Sequence, residues 1–240
     1  MSIKANWIDE ILFYFDNVSG ERVLPVAPVV FCDDFNGQVI NTVQNWTLKD
    51  TGGATEALVE DGASGICSLA LTNTNEKQEA GIYVNNKRHW VLNQGLVFEA
   101  RINPAVLPTL QSELYFGLAG DYVEGPIAEA DAGPAEHIFF CLDGSGEITI
   151  YTDDTTNDNN AIATGVILTA TDWAVCRIDC TTITDVKFYI DGNAVATGTT
   201  FDISTVAALK LQPFFMAHKE TSAGIGTLYT DVVRVWQKRS

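Results

Sequence analysis

Apolar and polar residues alternate with a period of two along most of the chain beyond Phe31. Leu96, Phe98, Ala100 and Ile102 fall on one side of an extended segment, with Val97, Glu99 and Arg101 on the other. Leu114, Phe116 and Leu118 oppose Glu113 and Tyr115 in the same way. Side chains of a strand point alternately to its two faces, so both segments predict strands with one face buried and one solvated. Ile138–Leu142 and Ile148–Tyr151 flank Asp143-Gly144-Ser145-Gly146, which reads as strand, turn, strand. Val186, Phe188 and Ile190 alternate ahead of Asp191-Gly192-Asn193, a second hairpin leading into Ala194–Ala196. The longest strand predicted is the terminal one, Gly226–Trp236, rich in β-branched residues. Sustained helical periodicity is nearly absent, and the stretch Asp153–Asn160 reads as a polar hairpin tip. The fold class predicted is all-β, a two-sheet antiparallel jelly-roll sandwich.

The first 29 residues differ in character. Trp7, Ile8, Ile11, Leu12 and Phe15 lie near a helical stripe behind Asn6 as a cap, whereas Leu12–Phe15 and Arg22–Val26 can pair around Asp16–Gly20. A hairpin preceded by a helical turn is the favoured reading. Leu24-Pro25-Val26-Ala27-Pro28 follows as an extended connector. The organisation expected is an attachment arm over residues 1–29 and one jelly-roll domain over 30–240. The arm's anchors are Trp7, Ile8, Ile11, Leu12, Phe13 and Phe15, since buried aromatic and aliphatic side chains dominate interface energetics.

Charge narrows the partners. Lys and Arg total 14 against 31 Asp and Glu, a formal net charge of −17. Such a surface repels nucleic acid and anionic membrane, so neither is expected as a partner. Cys32, Cys67, Cys141, Cys176 and Cys180 show no zinc or redox spacing, and Cys176 and Cys180 on one strand would be about 13 Å apart, too far to bridge. Free buried thiols and a reducing compartment are expected. The apolar run Ile11–Phe15 is too short for a signal peptide, and no stretch approaches a membrane span.

Candidate chemistry is sparse. Glu124, Glu129, Asp131 and Glu136 form the densest carboxylate cluster, but Gly125, Pro126, Gly133 and Pro134 make it a solvated loop rather than a rigid catalytic strand. Asp153, Asp154 and Asp158 offer oxygens to calcium but lack the EF-hand spacing. His89, His137 and His218 stand outside any nucleophile or zinc motif and read as surface or rim residues, with Cys141 near His137 read as packing. No catalytic residue is assigned, and an enzymatic role is not expected. Trp90, Tyr122 and Tyr151, near loops or strand ends, are the candidate platforms for stacking on a sugar ring.

Two end motifs carry a resemblance. Phe31-Cys32-Asp33-Asp34-Phe35-Asn36-Gly37 resembles the opening, and Thr230–Trp236 the closing strand, of the concanavalin A-like lectin/glucanase superfamily. That resemblance implies the jelly roll and, at Asp231, a structural calcium. The superfamily's laminarinase-like hydrolases carry an E-x-D-x-x-E strand. The nearest segment, Glu129–Glu136, departs from it in spacing and by a Gly-Pro break. The whole chain is also similar to tailed-bacteriophage virion proteins through Asn6-Trp7-Ile8-Asp9-Glu10, Gly20–Phe31, Glu76–Gln78, Gly95–Arg101 and Gly224–Leu228. This second resemblance implies a capsid decoration protein on the virion surface, assembled in the host cytoplasm, with the major capsid protein or copies of itself as partners. A lectin-like module holding host-surface glycans is the alternative, and a diverged polysaccharide hydrolase or lyase the third reading.

Overall fold

The computed structural model describes residues 29–60, 62, 65–126, 133–206 and 210–238 in full, and the backbone alone of 3–8, 11–16 and 22–23. The arm holds three short strands, β1 (Ile3–Ile8), β2 (Ile11–Asp16) and β3 (Arg22–Val23), in one antiparallel sheet of that order. The hairpin between β2 and β3 matches the expected pairing, with Tyr14 opposite Val23. The expected helical turn is instead β1, which pairs with β2 from Ile3↔Asp16 to Ile8↔Ile11. Spacing alone cannot separate the two, because Ile8 and Ile11 fit a helical stripe and the facing ends of an antiparallel pair equally well.

The jelly roll is two eight-stranded antiparallel sheets. The first runs β17 (Asn193–Val195), β16 (Lys187–Ile190), β15 (Ala174–Cys180), β10 (Leu96–Val106), β19 (Thr227–Gln237), β7 (Cys67–Ala70), β6 (Thr55–Leu58). β4 (Val29–Asp33) also pairs with β19. The second runs β14 (Asp158–Ile167), β13 (Glu147–Asp153), β12 (His137–Leu142), β11 (Ser112–Ala119), β18 (Lys210–Ser222), β8 (Glu76–Tyr83), β5 (Thr47–Thr51). β9 (Trp90–Val91) adds to β18. The two hairpins read from Asp143–Gly146 and Asp191-Gly192 are β12–β13 and β16–β17, and the terminal strand lies inside its sheet.

Between the sheets runs an unbroken file of rings. Phe35, Trp46, Phe215, Phe116, Phe140, Phe188 and Phe201 touch in succession with centroids 4.8 to 6.1 Å apart. Offset and edge-to-face contacts of this kind add to the gain from burial. One end of the file is fixed by Asp33: its Oδ2 accepts from Trp46 Nε1 at 2.8 Å and Asn45 Nδ2 at 3.0 Å, and its Oδ1 from the Phe35 amide at 2.9 Å. The opening motif is thus a structural clamp. Gly117 in β11 marks a close approach, since a Cβ there would sit 2.2 Å from the Ile138 carbonyl oxygen and φ is +149°.

Two buried polar side chains close one corner. Gln78 accepts from the Thr72 amide at 2.8 Å, and its two Nε2–H groups are shared among Thr72 Oγ1, Thr74 Oγ1 and the Gly52 carbonyl. Lys219, 0% exposed, donates to the carbonyls of Thr72 and Thr74, both at 2.6 Å, and of Gly224 at 3.1 Å. Burial pulls its pKa down, and the three carbonyls use all three of its N–H groups.

Candidate functional site

The outer face of the second sheet is also buried over its central strands. Strand alternation sends Leu114, Phe116 and Leu118 into the core and their neighbours outward, where Tyr115, Phe139, Cys141, Tyr151, Phe214 and Met216 form a second apolar cluster with Tyr83 and Tyr122. β11 is therefore buried on both faces, not one as its pattern predicted. The cover is the chain's own segment between β11 and β12. Tyr122 stacks on Tyr83 and Phe214, Tyr115 donates its hydroxyl to the Gly125 carbonyl at 3.1 Å, and a Cβ on Gly133 would sit 3.3 and 3.2 Å from the carbonyl oxygens of Gly125 and Pro126.

Toward one end this face turns polar. Cross-strand register places Glu113, His218 and Glu79 in one row over β11, β18 and β8. Glu79 receives the Tyr122 hydroxyl and the Gly125 amide, which tie the covering segment down, and burial raises its pKa. Lys77 bridges Glu124 at 3.3 Å and Glu220 at 3.2 Å. His218 is fully buried, and burial lowers its pKa to about 4, so the ring is neutral at pH 7. Its Nδ1 lies 3.7 Å from Glu113 and its Nε2 3.4 Å from Glu220, and neither nitrogen makes a hydrogen bond among the described residues.

At the rim of the same face lies an open cavity of about 330 Å³ lined by Arg88, Asp121, Val123, Ala135, Glu136 and Thr155. Arg88 Nε donates to Asp121 at 3.0 Å and Nη1 to the buried Glu136 at 2.8 Å. Behind this wall, fully buried Gln212 donates to the Gly120 carbonyl at 2.6 Å and to Asn86 Oδ1 at 3.1 Å, and it accepts from the amides of Val84 and Asn86. Asn86 Oδ1 in turn accepts the Tyr122 amide at 2.8 Å. The walls are thus held by side chains that are themselves satisfied.

Several expected sites fall elsewhere. Trp90, 6% exposed, belongs to the core between the sheets and offers no platform to a sugar. Tyr122 and Tyr151 do share one face, but Tyr151 is buried and Tyr122 is half-buried against Tyr83. Of the carboxylates read as a solvated loop, Glu124 is exposed, Glu136 is buried against Arg88, and Glu129 and Asp131 lie outside the described residues. His89 is exposed as expected. His137 and His218 are buried, because the segment between β11 and β12 folds back over the face on which they lie, which strand alternation does not reveal; His137 Nδ1 pairs with the Pro134 carbonyl at 2.8 Å. Asp154 is buried with its oxygens taken by the amides of Thr156, Asn157 and Thr205. Asp231 carries the Arg101 guanidinium, which stands 4.4 Å over Trp173. Among the described residues no group of three or more His, Cys, Asp or Glu is placed to hold a metal ion. All five thiols are free, and Cys32 is exposed rather than buried. The side chains of Trp7, Ile8, Ile11, Leu12, Phe13 and Phe15 lie outside the described residues.

Glu113, Glu79, Lys77, His218 and Arg88 were not singled out from the sequence for a site. One signal was present: Glu113 and Tyr115 share the outward face of a strand whose other face is wholly apolar.

No family model and no curated protein matches the chain. Solved structures do. The carbohydrate-recognition domain of Emp47p is 10% identical over 88% of this chain and 95% of that one, with a TM-score of 0.56. An endo-β-1,4-glucuronan lyase from Trichoderma reesei is 12% identical over 87% and 95%, at 0.57. An endo-1,3-β-glucanase from Streptomyces sioyaensis is 14% identical over 89% and 97%, at 0.56. These likenesses correct one expectation. The absence of a familiar motif had set enzymatic activity aside, yet two polysaccharide-cleaving enzymes share this fold at such low identity, so a missing motif does not exclude catalysis. The chain is a concanavalin A-like jelly roll, a fold it shares with a carbohydrate-recognition domain and with enzymes that cleave polysaccharides.

Proposed function

We propose that the chain is a capsid-associated protein of a tailed-bacteriophage virion, attached to the shell through its N-terminal arm with the jelly roll displayed outward. The arm carries this reading. Its sequence resembles the attachment segment of such virion proteins, and among the described residues its three strands pair with one another and with no strand of the jelly roll. A sheet that small is marginal by itself, and a segment containing Trp7, Ile8, Ile11, Leu12, Phe13 and Phe15 gains most by burying them on a partner, the major capsid protein or another copy. The formal net charge of −17 keeps displayed domains apart in solution.

The test is co-sedimentation with assembled shells, comparing the full chain with one lacking residues 1–28. Association is expected to be abolished while the thermal transition of the jelly roll persists. Undiminished association would overturn the reading. A cryo-EM map of the particle would then place the copies.

Glycan recognition is the second reading, favoured by the rim cavity and by the lectin domain of the same fold. The two are compatible, since a displayed domain on a particle is where a host-surface glycan would be met.

A further inference from the structure

Among the described residues the rim cavity is lined by one cation, Arg88, and two anions, Asp121 and Glu136. Arg88 carries Asp121 through Nε and Glu136 through Nη1, so its charge is committed to two carboxylates, and the trio is net negative. Thr155 also lines the cavity and belongs to the β13–β14 tip, whose neighbours Asp153, Asp154 and Asp158 add further negative charge. The remaining lining, Val123 and Ala135, is apolar, and Val123 is 46% exposed.

We infer that this cavity is a saccharide site selective for uncharged sugars, and that it excludes uronates. The inference rests on the glycan-recognition reading and names its ligand class. Two carboxylates joined by one guanidinium offer acceptors and donors to vicinal hydroxyls, while Val123 and Ala135 add apolar lining for a ring face or an acetyl methyl. The volume lies at the low end of small-molecule sites, which run from roughly 300 to 1,000 Å³, enough for one or two sugar rings. A uronate would bring its carboxylate to a wall already net negative, with the one guanidinium bound on two sides. Preorganisation is built in: Glu136 is buried, and Gln212 and Asn86 fix the segments behind it.

The test uses the full chain on an array of uncharged β-glucan oligosaccharides, N-acetylated chitooligosaccharides and oligoglucuronates at low salt. Asp121→Lys and Val123→Asp are run beside it, both at exposed positions, with thermal melts to verify folding. Binding to uncharged members, none to oligoglucuronates, and a loss of at least about tenfold in both variants is expected. Asp121→Lys, which reverses the sign of the wall, should also begin to retain oligoglucuronates. Oligoglucuronate binding by the unaltered chain, or uncharged-sugar binding that both variants leave intact, would overturn this site while leaving glycan recognition standing. Binding to no member would overturn both.

Discussion

The indole N–H of Trp46 donates to Asp33 at 2.8 Å, and this one carboxylate also holds Asn45 and the Phe35 amide. It joins the strand that follows the arm to the first ring of the core file, so it sets where the chain enters the sandwich. Asp33→Ala leaves a buried indole donor unpaired and should cost about 2–3 kcal/mol. For a chain of this length that is a fall in Tm of roughly 4–12 °C, read by calorimetry. Asp33→Asn keeps one acceptor and should lose less. Equal losses would mean that a single acceptor oxygen cannot hold the clamp, and an undiminished Asn variant with a destabilised Ala one would mean that the side chain acts by packing alone.

Gly117 and Gly192 separate two reasons for glycine. Both have positive φ, but a Cβ on Gly117 would strike the Ile138 carbonyl whereas one on Gly192 meets nothing within 4 Å. Gly192→Ala should therefore cost about 1–2 kcal/mol, the backbone penalty alone. Gly117→Ala should cost more than about 3 kcal/mol or prevent folding. Similar urea midpoints for the two variants would contradict this account of β11.

Stability against pH carries two opposed contributions. The neutral His218 ring, at about 4 in the fold against 6.5 in the open chain, contributes stability that is full above pH 6.5 and lost as pH falls toward 4, at most about 3 kcal/mol. Glu56, raised by burial to about 7 from 4.5, acts in the other sense, full below pH 4.5 and lost as pH rises through 7, and its partial exposure reduces its weight. Between pH 4.5 and 6.5 the slopes oppose. Glu56→Gln should steepen the loss of stability on acidification in that window, and His218→Gln should flatten it, as followed by urea midpoints at four pH values. A His218→Gln curve parallel to the parent's would refute the assignment.

Much of this architecture was written in the alternation of apolar and polar residues, from β10 and the β12–β13 hairpin to the terminal strand. What the pattern could not carry was the second buried face. Glu113, Tyr115 and His218 sit at positions that an alternating strand gives to solvent, and only the segment beginning at Gly120 turns that face inward. Arg88 and Glu136 meet across 48 positions of sequence with no local sign of either partner. Trp90 shows the converse, a residue beside a loop by sequence and inside the core by packing.

Thiol reactivity offers an inexpensive check on burial. Cys32 is exposed, whereas Cys67, Cys141, Cys176 and Cys180 are buried, with burial pushing their pKa values up. A maleimide should modify Cys32 promptly in the folded chain and the other four only at the rate of unfolding. Rapid modification of a second thiol would show that one face of the sandwich opens locally.

Lys219 gives one corner of the molecule an ion of its own. Three inward carbonyls, from Thr72, Thr74 and Gly224, make a cage that elsewhere would suit a dissolved cation, and here its occupant is tethered to the chain. A dissolved ion would make the strength of that corner depend on its concentration in the medium. A tethered ammonium has an occupancy set by the covalent chain. The junction between the β7–β8 turn and the end of β18 therefore keeps its strength through dilution, chelation and changes in salt composition.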